Sequence, residues 1–350
     1  MQIRNNRLNY KIALMTEVNR TCSGRLDLPS IVVLVFLNVV SGVMTVSGNV
    51  LVLTAVYRTP SLRIVSNYFI ASLSAADLAA GLIINPLLLA KTVRNETTGT
   101  SLSLAAEIAS LGSITATVYN LCAISLDRFV AITRVFTYKE LITKQRCYFM
   151  IACIWAVAFL FACSRFMVQS EDDLPKLWIA ASVFHFVIPV LIISYCYFHI
   201  FKEAKVQNDR IRSQNQTIRL QGVQEVKHRK AAWTVAIVIG VFTLLFSPNI
   251  VVASIQNMAR DMCEISRLYR YWFWFSWLTF FSSALNPLIY GVRSQEFRNA
   301  FKAIFFVGVR QTNVVTPLPP SNMHTPTVSD IAAADIANKS IGVSPSPTNS

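Results

Sequence analysis

The sequence predicts an all-α membrane protein, a seven-transmembrane helix bundle with a short amphipathic eighth helix. Three observations predict it. Hydrophobic residues make up 53% of the chain and charged residues only 14%, against about 25% charged in ordinary soluble domains. Seven apolar stretches are each long enough to cross a hydrocarbon core of about 30 Å at about 1.5 Å of helical rise per residue. The Lys and Arg residues are also unevenly shared between the two sides that such a threading creates.

Stretches free of Asp, Glu, Lys and Arg run over Leu28–Tyr57, Ile108–Leu126, Cys147–Ser164, Leu177–Phe201, Ala231–Ala259 and Tyr271–Val292. A seventh, Ile64–Ala90, is interrupted only by Asp77. None alternates with the two-residue period of a barrel strand, so the spans are helices. With the C-terminus in the cytoplasm, 20 of the 32 Lys and Arg residues lie inside. That bias orients the N-terminus outward. Residues 1–27 lack the apolar core of a cleavable signal peptide, so the first span directs insertion. The formal charge of +14 thus faces anionic lipid headgroups and acidic cytosolic partners rather than nucleic acid. The basic Val206–Lys230 region is expected to extend the fifth and sixth helices into the cytosol.

The resulting organisation is an extracellular segment over residues 1–30, the bundle over 31–292, an amphipathic membrane-surface helix over 293–306 and a disordered cytoplasmic tail over 307–350. Phe297, Phe301, Ile304 and Phe305 recur at helical spacing in the third of these. The tail is rich in Pro, Ser, Thr and Asn. Glycosylation sequons at Asn19 and Asn95 fall outside.

Ionisable groups inside spans are the informative ones, because a charge at the bilayer centre is expensive. Asp77 sits mid-span. It reads either as a neutral, hydrogen-bonded packing residue or as a cation or proton site completed by neighbouring oxygens. Asp127-Arg128-Phe129 ends the third span and Asn286-Pro287-x-x-Tyr290 lies in the seventh. Pro86, Pro189, Pro248 and Pro287 each remove a backbone donor within a span and favour a kink.

Taken in order, Gly48-Asn49, Asp77, Asp127-Arg128-Phe129, Trp155, Pro189 with Tyr197, Phe242 with Pro248, and Asn286-Pro287-x-x-Tyr290 place one marker in every span. This set resembles the rhodopsin-like (class A) G-protein-coupled receptors over residues 31–306. The resemblance implies a ligand-activated receptor with no enzyme chemistry of its own. An extracellular small-molecule or lipid-like signal would move helix six and promote nucleotide exchange on a heterotrimeric G protein. Arrestin and a receptor kinase would act at the Ser- and Thr-rich tail, and the plasma membrane would be the site of action. Coupling and switching fall to Asp127, Arg128, Tyr197, Phe242, Phe246, Pro248, Asn286, Pro287 and Tyr290. An allosteric sodium ion is implied at Asp77, Ser113, Thr117, Ser282, Ser283 and Asn286, all of which offer oxygen.

By position, the ligand pocket of such a receptor would include Ser110, Ile114, His185, Phe246, Asn249, Trp272, Ser276 and Phe280. The set is apolar and aromatic with few polar groups, which suits a small neutral or lipid-like ligand. The Trp272–Trp277 cluster also reads as an interfacial anchor. Amine-binding members carry an Asp where this chain has Ser110, and opsins a Lys where it has Phe280. Phe246 replaces the usual Trp and Phe129 the usual Tyr. Ser103 stands in place of the helix-three cysteine, so the family's usual disulfide cannot form. Cys22 and Cys263 both lie outside in an oxidising compartment and read either as a pair or as separate thiols.

Other classes fit less well. A seven-helix transporter or channel would show inverted repeats and several midplane charges, whereas one carboxylate and no evident repeat are present. A zinc hydrolase needs clustered ligands, and His185, His199, His228 and His324 are dispersed. A receptor-like protein without G-protein coupling would carry the same markers.

Overall fold

The structure is a computed structural model that describes residues 24–96, 99–168, 173–213, 219–259 and 261–305. Every regular element among them is helical. Helix α1 spans Leu28–Arg58 and α2 Val65–Arg94, α2 passing through a π turn at Ala80–Ile84. Helix α3 is Ser101–Thr133. A one-turn helix, Tyr138–Leu141, precedes α4 at Lys144–Met167. Helix α5 runs through Leu174–Ser182, a π turn at Val183–Val187 and Ile188–Ser213. Helix α6 is Arg219–Met258, α7 Met262–Arg293 and α8 Gln295–Phe305.

Six of these helices are long and apolar enough to span a membrane. The seventh span falls on α7, whose Tyr271–Val292 stretch is built largely from Trp, Phe, Tyr and Ser. Those residues carry less hydropathy than Leu or Val, yet α7 packs along both α1 and α6. Helices α5 and α6 continue well beyond their apolar stretches, to Ser213 and from Arg219, as the basic Val206–Lys230 region led us to expect.

Most helices overrun the charge-free stretches. Helix α3 takes in Glu107 at one end and Asp127 with Arg128 at the other, and α2 continues past Lys91 to Arg94. A charged residue does not end a helix when its head reaches water or a partner. What ends α2 is Asn95, whose left-handed backbone (φ 52°) caps the chain reversal. Thr100, Thr143 and Asp261 each accept a backbone N–H in the first turns of α3, α4 and α7.

The outward faces are apolar and exposed, as at Phe36, Phe159, Leu160, Leu191 and Leu244. The inward faces mix apolar and polar groups. A bundle in lipid gains nothing by hiding Leu from hydrocarbon, so close packing and hydrogen bonds must hold it together. Gly48 shows this directly: a Cβ there would sit 2.8 Å from Pro287 Cγ, so only glycine lets α1 and α7 approach so closely. Trp155 Nε1 donates to Ser72 Oγ at 3.2 Å, fastening α4 to α2. Trp277 Nε1 does the same between α7 and Ser41 of α1 at 3.3 Å.

Both π turns precede a proline, Pro86 in α2 and Pro189 in α5. Proline cannot donate to the preceding turn and its ring crowds it, so the backbone widens there. Helix α8 turns sharply from α7 at Ser294 and buries Phe297 and Ala300, with Phe297 stacked on Tyr290 at 5.7 Å between ring centres.

Candidate functional site

The polar interior falls into three levels. At the outer end, α2, α3, α5, α6 and α7 enclose a cavity of about 140 Å³. That is well below the roughly 300–1,000 Å³ of drug-sized pockets, so its occupant is small. All eight residues expected at the pocket, Ser110, Ile114, His185, Phe246, Asn249, Trp272, Ser276 and Phe280, line it. His185 lies within the π turn of α5, where its Nε2 meets Thr115 Oγ1 at 2.7 Å. Its ring packs edge-on against Phe161, 4.7 Å between centres. The histidine is therefore held by α3 and α4 rather than free to swing.

Ten of the lining residues were absent from that expected set, and the two charged ones among them are Lys91 and Glu107. Lys91 is 1% exposed, and its Nζ sits 4.1 Å from the centre of the Trp272 ring. Trp272 thus faces inward over a cation, which corrects its reading as an interfacial anchor. Glu107 Oε2 accepts Arg165 Nε at 2.8 Å. That ion pair joins the outer ends of α3 and α4, while Arg165 Nη1 also donates to the Val168 carbonyl at 2.7 Å. The pocket is accordingly more polar than its expected lining implied. Lys91 and Glu107 lay just outside charge-free stretches, so counting assigned them to loops.

The chain just before α1 is held at this end too. Asn95 Oδ1 accepts the Leu26 N–H at 2.8 Å and its Nδ2 donates to the Leu26 carbonyl at 2.9 Å. The nitrogen that a glycan would need at this sequon is therefore already engaged. Asn19 and Cys22 lie outside the described residues. Cys263 is disulfide-bonded, and Cys122, Cys147, Cys153, Cys163 and Cys196 are free thiols.

At mid-depth Asp77 is wholly buried. Ser283 Oγ donates to its Oδ1 and Asn286 Nδ2 to its Oδ2, both at 2.7 Å. Asn49 Nδ2 reaches the Ser283 carbonyl at 3.1 Å, linking α1 to the same cluster. Of the remaining expected sodium ligands, Ser282 Oγ donates to the Thr279 carbonyl at 2.6 Å. Thr117 is buried and Ser113 half-buried on α3.

At the inner end Asp127 collects three donors. Arg128 Nε binds its Oδ2 at 3.0 Å, Ser66 Oγ the same oxygen at 2.8 Å, and Tyr138 OH its Oδ1 at 2.7 Å. Burial first, and then the neighbouring Asp127 charge, push the Tyr138 phenol up to about 12, so it remains a donor at physiological pH. Tyr197 OH donates to the Ala232 carbonyl of α6 at 3.1 Å. Higher on α6, Phe242 stacks on Phe246 at 5.4 Å, and Phe246 reaches the outer cavity. Pro248 and Pro287 lie inside continuous helices. Ser66 and Tyr138 were not singled out from sequence. Neither sits in a marker motif, and only folding brings them to Asp127.

An outer cavity, a buried mid-depth carboxylate and a braced Asp–Arg pair at the inner face define a helical membrane receptor. The rhodopsin family of seven-transmembrane receptors matches residues 48–290, and the chain belongs to that family. It is thus a multi-pass, ligand-activated G-protein-coupled receptor, and its family is one of receptors, not of enzymes. The octopamine receptor beta-2R of Chilo suppressalis is 26% identical across 74% of this chain and 76% of its own length. The human 5-hydroxytryptamine receptor 1B is 23% identical across 82% and 91%. The human alpha-1D adrenergic receptor is 25% identical across 79% of this chain and 56% of its own.

Proposed function

We propose that occupancy of the outer cavity is transmitted along α6 to Arg128, which on release from Asp127 engages a heterotrimeric G protein and accelerates its nucleotide exchange. The observation that carries this reading is the Phe246–Phe242 stack. One ring lines the cavity and the other belongs to the core beside Tyr197. A ligand that displaces Phe246 therefore moves the segment whose inner end Tyr197 holds. Pro248, which removes a backbone donor inside α6, supplies the pivot. Tyr197 and Tyr290 then support the open arrangement.

Asp77 with Ser113, Thr117, Ser282, Ser283 and Asn286 would hold a sodium ion that disfavours the active state. The donor set suits a hard cation. Ser74 Oγ and Asn120 Oδ1, one turn along the same helical faces from Asp77 and Thr117, are buried without a hydrogen-bond partner among the described residues. Unspent polar atoms of this kind fit a pocket that takes an ion or water. In this reading the receptor sits in the plasma membrane with its N-terminus outside, Cys263 pairs with Cys22, and the tail recruits receptor kinase and arrestin.

The test is nucleotide exchange on purified G proteins by the full chain in lipid nanodiscs. Basal exchange should rise several-fold when Asp127→Asn releases Arg128, and rise again when sodium is replaced by choline. Asp77→Ala should be blind to that replacement. Exchange rates unmoved by Arg128→Ala and Asp127→Asn would sink the coupling mechanism.

A further inference from the structure

The outer cavity contains a charge that has no ion-pair partner among the described residues. Lys91 and Glu107 are its two charged lining residues, and the Glu107 carboxylate is already paired with Arg165 at 2.8 Å. The Nζ of Lys91, a residue only 1% exposed, makes no hydrogen bond or ion pair among the described residues. Its single strong contact is the face of Trp272. An ammonium taken out of water keeps much of its desolvation cost unless an anion or several acceptors meet it. A ring face recovers only part of that cost. One side of the cation is therefore covered by Trp272, and the rest is available to whatever enters.

We propose that the cavity takes a small organic carboxylate, its anion bound by Lys91 Nζ and its apolar body held against Phe246 and Phe280. The inference rests on the cavity being the ligand site. Its charge balance supports an anion: with Arg165 matching Glu107 and Arg94 matching the nearby Glu96, the cavity region carries an excess of one positive charge. Ser110, on α3 one turn inward from Glu107, offers a hydroxyl and no counter-charge, so an amine finds no free carboxylate at that level. The small volume restricts the body of the ligand to one ring or a short chain. Placing the carboxylate at Lys91 also sets direction. The charged end lies under the extracellular mouth, where α2 ends, and the apolar end points at Phe246 and hence at α6.

Binding of two matched sets of probes to the full chain in nanodiscs tests this, read by tryptophan fluorescence and thermal melting. The first set is 3-phenylpropionate, its amide and 3-phenylpropylamine; the second is indole-3-acetate, its amide and tryptamine. In at least one set the acid should bind ten-fold or more tighter than its amide, and the amine most weakly. Lys91→Gln should erase the difference between acid and amide, and Lys91→Arg should retain it. The comparison of acid with amide on the natural chain stands even if Lys91→Gln fails to fold. Amines binding tightest, acids and amides binding alike, an acid preference surviving Lys91→Gln, or no acid binding in either set would each overturn the proposal. Acid binding without any effect on G-protein exchange would leave it intact and count against the coupling mechanism alone.

Discussion

The two ends of the bundle handle buried charge in opposite ways. At the inner end Asp127 receives Arg128, Ser66 and Tyr138, so the carboxylate is saturated by the protein itself. At the outer end Glu107 and Arg165 satisfy each other, while Lys91 lies against an aromatic face and has no ion-pair partner among the described residues. A saturated cluster resists change until a partner is exchanged; an unsaturated one gains from an incoming group. Releasing the inner clasp therefore has a cost and filling the outer site brings a gain. A signal that runs from outside to inside needs both.

The sharpest way to break this contrast is Arg128→Ala, which should reduce G-protein nucleotide exchange to the uncatalysed rate and, because it leaves buried Asp127 without its counter-charge, also lower the melting temperature. Next in size is Arg165→Ala. It strands Glu107 beside the cavity, and removing one partner of a buried pair costs about 3–5 kcal/mol. Because the pair retains some exposure, the lower end of that range should appear in the melting transition. Arg165→Ala combined with Glu107→Gln should recover much of the loss; if the double variant is no more stable than the single, the pair is not what secures α3 to α4.

Gly48→Ala should cost about 1–3 kcal/mol, the usual penalty of forcing a methyl group into a filled contact. It should also slow exchange if the approach of α1 to Pro287 matters for motion in α7. Asn95→Ala removes two hydrogen bonds to Leu26, each of order 0.5–1.5 kcal/mol, and should loosen the chain before α1 as seen by hydrogen exchange. In the natural chain, peptide mapping after deglycosylation should find sugar on Asn19 and not on Asn95. Tyr138→Phe is the mildest, deleting one donor to Asp127 at the inner clasp. It should raise basal exchange by a few-fold at most, against the larger rise expected from Asp127→Asn.

Much of this was legible in the sequence. Apolar runs and the inside excess of Lys and Arg gave the threading, and one marker per span gave the family before any contact was known. Eight of the cavity's lining residues, Phe246 and Ser276 among them, also followed from the family resemblance, carried over by their positions in each helix. What stayed hidden has a common cause. Lys91 and Glu107 were read as loop residues because a charge was taken to mark the end of a span. The long, flexible stem of Lys91 and the Arg165 partner of Glu107 instead allow both to remain in helices facing inward. Tyr138 and Ser66 are 72 residues apart in the chain, and neither position has a local signature. The Trp272 ring was ambiguous for a similar reason, since a tryptophan near a helix end suits a membrane interface and a pocket wall equally.

The π turn at Ala80–Ile84 has a consequence for how α2 tolerates change. Such a turn amounts to one residue inserted into an α-helix, and each residue advances the azimuth by about 100°. Everything from Asn85 outward is therefore rotated by about that angle relative to an uninterrupted helix through Asp77. With one codon fewer in that segment the turn could close to an ordinary α-turn, and the two ends of the helix would keep the faces they now present, Asp77 towards α7 and Lys91 towards Trp272. Straightening the turn with every residue kept would instead swing Lys91 about 100° away from that ring. The extra residue is thus a slack link, able to absorb a single in-frame deletion and, if it is pulled straight, to uncouple the outer mouth from the buried carboxylate below it.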